Sequence, residues 1–318
     1  MLGYGISSAV RPLIAWATTW VDVLGVRLAD RVGKGIRGAP RDALLAEWAA
    51  PGDRGRVFGF HRAMDHLGAV VGPLLAAAFL AWRPGAYRDL FAWTVVPGMV
   101  AVGLTLLVRE QPRAPVDVAA STGTAALGNW RTDLPPGLWR FMLVLALFML
   151  GSSSDAFLLL RLTDAAGTLA AAPLLWAALH VVKAATSFVG PQWSDRVGRR
   201  TVIAIGWFIY ALVYAGFAAS HAFVTLSAWF LVYGCYFGLA EGSEKALVAD
   251  LAPARARGTA FGVYNAVQGV GALLASVLFG VIWTHAGAAV AFGFGAITSL
   301  AATALLWALV PAVESRTV

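Results

Sequence analysis

Seven charged side chains crowd the stretch Arg27 to Asp42 (RLADRVGKGIRGAPRD), inside an otherwise apolar run. Five of them, Arg27, Asp30, Lys34, Arg37 and Arg41, recur at steps of 3, 4, 3 and 4, which is one face of an α-helix. Four cations and one anion on one face of a membrane helix cannot point at lipid; they must meet water, protein or a charged solute. The expected chemistry is electrostatic binding. Lys34 and Arg37, with Arg27 and Asp30, would form an electropositive wall for an anionic or zwitterionic solute. The plainer alternative pairs Arg27 with Asp30 and places Arg41 and Asp42 at a gate.

A second set of residues could move protons. Asp155 lies in the apolar segment SSSDAFLLLR without a neighbouring cation in sequence, so a role in charge coupling is expected. Asp65, three residues after Arg62, is either an intrahelical partner or a titrating group. Glu241 is a third candidate. Glu244 and Lys245 read as a latch, with a proton relay as the alternative. His180 and Lys183 form a further basic pair, with Lys183 expected to snorkel to an interface. His61 and His66 are five apart rather than on one face, and no metal site is expected. Asn265 and Gln268 read as interhelical hydrogen-bond partners.

The elements that must carry these residues are helices in a bilayer. Hydrophobic residues make up 59% of the 318-residue chain and charged residues 13%, about half the share usual in soluble domains. At about 20 residues per crossing, ten segments emerge: 1–19, 21–47, 57–82, 88–108, 139–162, 171–192, 201–219, 223–250, 258–284 and 288–311. A Pro-, Ala-, Ser- and Thr-rich connection at 109–138 reads as a cytosolic linker. With it in the cytosol, that side holds Arg54, Arg56, Arg109, Arg113, Arg131, Arg140, Arg196, Arg199, Arg200, Arg255 and Arg257. The other side holds Arg83 and Arg88. This asymmetry orients the chain and explains the net charge of +7 without nucleic acid. The lone Cys235 reads as a packing residue.

An internal repeat organises the chain. Shifted by 203 residues, ALLAEWAAPGDRGRVFGFHRAMDHLGA (43–69) lies over ALVADLAPARARGTAFGVYNAVQGVGA (246–272), with eleven of 27 positions identical. Arg54, Gly55, Phe58 and Gly59 match Arg257, Gly258, Phe261 and Gly262; Glu47 matches Asp250, and Asp42 matches Lys245. Both copies run in the same direction, so the halves are parallel repeats with a pseudo-axis along the membrane normal. The second copy is preceded by two more helices and a basic loop, whose counterparts fall at negative numbers. The chain therefore reads as the last ten of twelve helices: an incomplete N-terminal bundle at 1–108 (equivalent to helices 3 to 6), the linker, and a six-helix bundle at 139–318. A natural ten-helix variant or a misplaced start are the competing accounts.

SDRVGRR (194–200) is similar to the basic loop signature of the major facilitator superfamily, although Pro191 stands where its glycine is usual. Arg27 with Gly33 and Gly35 resembles that superfamily's fourth-helix signature. GKGIRGAPRDAL, RGRVFGFHRAMDHLGA and EGSEKALVAD resemble a bacterial branch of uncharacterised substrate. The resemblance implies an all-α polytopic fold and a monomeric secondary transporter of the cytoplasmic membrane. It would move a small solute by alternating access, coupled to a proton or ion, with export favoured. It implies no cofactor, and makes Asp195, Arg196, Arg199 and Arg200 a conformational latch. A transport-incompetent fragment or accessory subunit is the alternative. A membrane enzyme is disfavoured, since neither HExxH nor GxSxG occurs.

Overall fold

The computed structural model describes residues 2–107, 133–168 and 172–312. Most of the expected linker lies outside the described residues. Twelve α-helices are described: α1 Leu2–Val10, α2 Trp20–Trp48, α3 Arg54–Trp82, α4 Tyr87–Trp93, α5 Val95–Leu106, α6 Pro136–Gly151, α7 Asp155–Ala166, α8 Ala172–Val197, α9 Arg199–Ala219, α10 Phe223–Leu251, α11 Arg257–Ala286 and α12 Ala288–Leu309. The fold is all-α and polytopic.

Eight stretches among the described residues are long and apolar enough to cross a membrane, against ten expected. The two others are the first and second segments. The first breaks after Val10 into a 3₁₀ turn at Arg11–Trp16, where Pro12 supplies no amide hydrogen. The second, α2, is a continuous helix of 29 residues, but its charges lower its hydropathy. Segment 139–162 is also not one helix. It is α6 and α7, separated at Ser152–Ser154, so Asp155 opens a helix rather than lying mid-helix.

The chain divides into two compact units, 1–41 with 72–133, and 42–71 with 134–318. In the first, α1 packs on α2 through paired glycines: a Cβ on Gly3 would lie 2.5 Å from the Gly33 carbonyl oxygen. Small residues of this kind let membrane helices approach closely.

In the second unit α9 is the most buried of the candidate spans among the described residues, with one exposed stripe at Phe208, Leu212, Ala215 and Ala219. Trp207, Tyr210, Tyr214 and Phe217 are fully buried. Stacking pairs Phe148 with Trp207 at 4.3 Å and Tyr210 with Tyr214 at 4.2 Å. Helix α10 lies against α8, where a Cβ on Gly238 would fall 2.0 Å from Thr186 Oγ1. On α11, by contrast, Val270, Leu273, Val277 and Val281 form an exposed stripe at steps of 3, 4 and 4, suited to acyl chains.

Candidate functional site: a tyrosine and carboxylate cavity with a charged latch

The break between α6 and α7 builds the site. Ser152 and Ser154 are extended, which frees backbone amides that a bilayer interior cannot hydrate. The Ser153 amide donates to the hydroxyls of Tyr210 (3.2 Å) and Tyr214 (3.1 Å), so the opening is held by the buried tyrosines of α9. Asp155 then sits at the start of α7, where unpaired helical amides favour a carboxylate.

Asp155 accepts from Lys183 Nζ at 3.1 Å and from the Tyr233 hydroxyl at 2.8 Å. Lys183 does not snorkel: it is 3% exposed, with its ammonium 3.5 Å from the Phe237 ring centroid. The counter-charge of Asp155 thus comes from α8 rather than from the cationic stripe. His180, one turn earlier, is bonded to the Trp176 carbonyl oxygen at 2.9 Å.

A cavity of about 270 Å³ opens beside this pair. Its polar and aromatic lining includes Asp155, Tyr233, Tyr236, Glu241, Glu244 and Gln268. Glu241 faces Arg62 Nη2 at 3.0 Å and His66 Nε2 at 3.6 Å. Glu244 is 2% exposed and accepts from Trp207 Nε1 (2.9 Å), the Tyr264 hydroxyl (2.9 Å) and Gln268 Nε2 (3.3 Å). Its neighbour in sequence, Lys245, points elsewhere, so the two do not act as one latch. Asp65 is about half exposed, 3.4 Å from Arg62, and lies outside the cavity lining.

The sequence contained a signal for this wall. Tyr233, Phe237, Glu241 and Glu244 recur at steps of 4, 4 and 3, a single helical face. Lys183 and Trp207 carried no such signal, because their roles depend on which helices pack together.

Toward the ends of α2 and α10 the repeat copies meet within the second unit. Asp42 and Lys245, equivalent positions 203 residues apart, join at 2.6 Å with side chains 1% and 2% exposed. Phe58 and Phe261, also equivalent, meet at a tilt with ring centroids 5.8 Å apart. Arg54 donates to the Ala249 carbonyl oxygen, and its counterpart Arg257 to the Ala46 carbonyl oxygen. Equivalent residues contacting one another lie on a local pseudo-twofold axis.

The basic loop docks here. Asp195 accepts from the amides of Gly55 (3.0 Å) and Arg56 (2.9 Å), capping the start of α3. It also pairs with Arg199, which reaches Asp250 at 3.0 Å, and Asp250 receives Arg54 at 2.6 Å. Arg196 is exposed, whereas Arg200 donates to the Val310 carbonyl oxygen at 2.9 Å beyond α12.

In the first unit, Asp30 lies 2.9 Å from Arg11 and 2.8 Å from Lys34. The pair that the plainer alternative gave to Arg27 and Asp30 is replaced by one reaching back to the 3₁₀ turn and one reaching a helical turn ahead. Arg37 stacks 4.4 Å over the Tyr4 ring.

The Major Facilitator Superfamily model matches residues 1–178 and again 162–318. The chain belongs to the major facilitator superfamily. It is 30% identical over 289 residues to an uncharacterized MFS-type transporter of Methanocaldococcus jannaschii, covering 89% of this chain and 71% of that protein. A multidrug resistance protein of Cronobacter sakazakii is 27% identical over 273 residues, covering 80% and 60%. Among solved structures, a proton:xylose symporter matches with a TM-score of 0.79 at 16% identity, covering 99% of this chain and 79% of that one. As a member of this superfamily the chain is a multi-pass membrane protein whose relatives are transporters.

Proposed function

We infer that this protein is a proton-coupled secondary transporter whose solute site is the cavity beside the α6–α7 break. The observation that carries the reading is the Asp155–Lys183 pair, a part-buried ion pair at a helix break and in contact with that cavity. A proton on Asp155 removes the charge that holds Lys183, so protonation and the packing of α7 against α8 are linked. Glu241, held by Arg62 and His66, couples α3 to α10. The chain Asp195–Arg199–Asp250–Arg54, with Asp42–Lys245, is the latch that keeps the cytosolic end shut in one state. Export is the direction we assign, on the strength of the relative named a multidrug resistance protein. The units act as one monomer in the cytoplasmic membrane.

A second reading puts an anionic or zwitterionic solute on the stripe of the first unit. Arg37, stacked over Tyr4, favours it. Asp30 counts against it by offsetting the charge of Lys34.

The test is proton flux in proteoliposomes containing a pH dye. Benzyltrimethylammonium, benzenesulfonate and phenylalanine are supplied in turn as permanently cationic, anionic and zwitterionic probes. A probe-dependent proton movement that is lost in Asp155→Asn is expected. Flux absent with all three, or unchanged in that variant, counts against the reading.

A further inference from the structure

The cavity has an unequal charge balance. Three carboxylates line it, Asp155, Glu241 and Glu244, and no Lys, Arg or His is among the lining residues. Two of the three have cations behind the wall: Lys183 for Asp155, and Arg62 for Glu241. Glu244 has three neutral donors and no ion pair among the described residues. A carboxylate offers about four acceptor sites, so three donors leave one direction open, and Glu244 reaches the cavity. The Glu244 carboxyl therefore meets the cavity with no Lys or Arg paired to it among the described residues.

The rest of the wall suits the body of an organic cation. Tyr233 and Phe237 meet edge to face at 5.1 Å, and Tyr236 stands 4.8 Å from Tyr210, so ring faces and hydroxyls alternate around the space. Cations are attracted to such faces, more strongly where water is excluded. The protein already uses this property, since the Lys183 ammonium lies 3.5 Å from the Phe237 centroid and 5.6 Å from that of Tyr233. About 270 Å³ lies near the lower limit of ligand pockets, which restricts the occupant to roughly one ring and a small cationic group.

We propose that this cavity binds a singly charged organic cation, with Glu244 as its counter-charge and the ring faces of Tyr233, Tyr236 and Phe237 around its apolar body. The proposal rests on the assignment of this cavity as the solute site and names the class of solute.

The experiment is titration calorimetry on the purified full chain in detergent, with benzyltrimethylammonium as the cation and benzenesulfonate as a similarly sized anion. Saturable binding of the cation and none of the anion is expected. Glu244→Gln, which keeps size and hydrogen bonding, should weaken cation binding at least tenfold. Asp89→Asn, in the exposed Arg83–Asp89 pair and outside the lining, should leave it unchanged. Tyr236→Leu gives an independent arm and should also weaken the cation severalfold if Glu244→Gln is not recovered folded. Binding of the anion instead, binding of neither probe, or an unchanged affinity in Glu244→Gln or Tyr236→Leu would overturn the proposal. Binding is read without transport. A protein that binds the cation but moves no solute refutes the transport reading and leaves the site standing. One that transports without binding the cation does the reverse.

Discussion

The Asp42–Lys245 pair makes the sharpest demand on the structure, because it joins positions that the repeat declares equivalent. Its 2.6 Å separation and near-complete burial mean that removing one partner leaves the other charge away from water without this bond. Breaking such a pair costs about 3–5 kcal/mol, whereas replacing both partners with apolar residues is near neutral. Reversing one charge is worse. Two like charges at this distance repel by about 6 kcal/mol at an effective dielectric of about 20. Reversing both, Asp42→Lys with Lys245→Asp, rebuilds the pair with its ends exchanged across the local pseudo-twofold axis. The assay is recovery of monodisperse protein in detergent, followed by unfolding in mixed micelles read by tryptophan fluorescence. Single variants should lose most folded protein or unfold at clearly lower denaturant. The double reversal and the double apolar variant should recover much of the loss. A double reversal no better than its singles would refute the axis. Asp42→Asn unfolding with the parent's midpoint would refute the energetic reasoning.

Other contacts give further expectations. Gly59→Ala should cost about 1–3 kcal/mol by overpacking, because its Cβ would lie 2.6 Å from the Ser187 carbonyl oxygen. The repeat counterpart Gly262→Ala has no atom within 4 Å among the described residues and should be neutral, or gain up to about 1 kcal/mol of helix propensity, by thermal unfolding. Asp195→Ala removes the cap on α3 and should lower stability by about 1–2 kcal/mol for the cap alone. Hydrogen exchange at Gly55 and Arg56 should accelerate, and unchanged protection would reject the capping role. Lys183→Met should destabilise the protein by stranding Asp155. Adding Asp155→Asn should restore thermal stability without restoring proton flux, and restored flux would show that the pair is only structural.

Much of the architecture was legible because a bilayer leaves few options. Backbone groups with no water to bond must be satisfied within helices, so apolar length alone located eight of the ten expected segments. The repeat located Asp42, Lys245, Arg54 and Asp250, and SDRVGRR located the loop that docks on α3. The break at Ser152–Ser154 has no mark in the sequence, because three serines in an apolar run can belong to a helix. Only the hydroxyls of Tyr210 and Tyr214, some 60 residues away, make the opening affordable.

Residue spacing by itself determined which side chains share a helix face and which positions are equivalent by repeat. It could not assign charges to partners, because pairing depends on which faces the packed helices present to one another. The tertiary structure gave Lys183 to Asp155, Arg62 to Glu241 and Arg11 with Lys34 to Asp30. It left Glu244 with neutral donors in a small aromatic cavity. The physical reason is the reach of each force. Hydrophobic patterning is local to a helix, whereas a buried charge is decided by the few ångströms between helices that sequence distance does not measure.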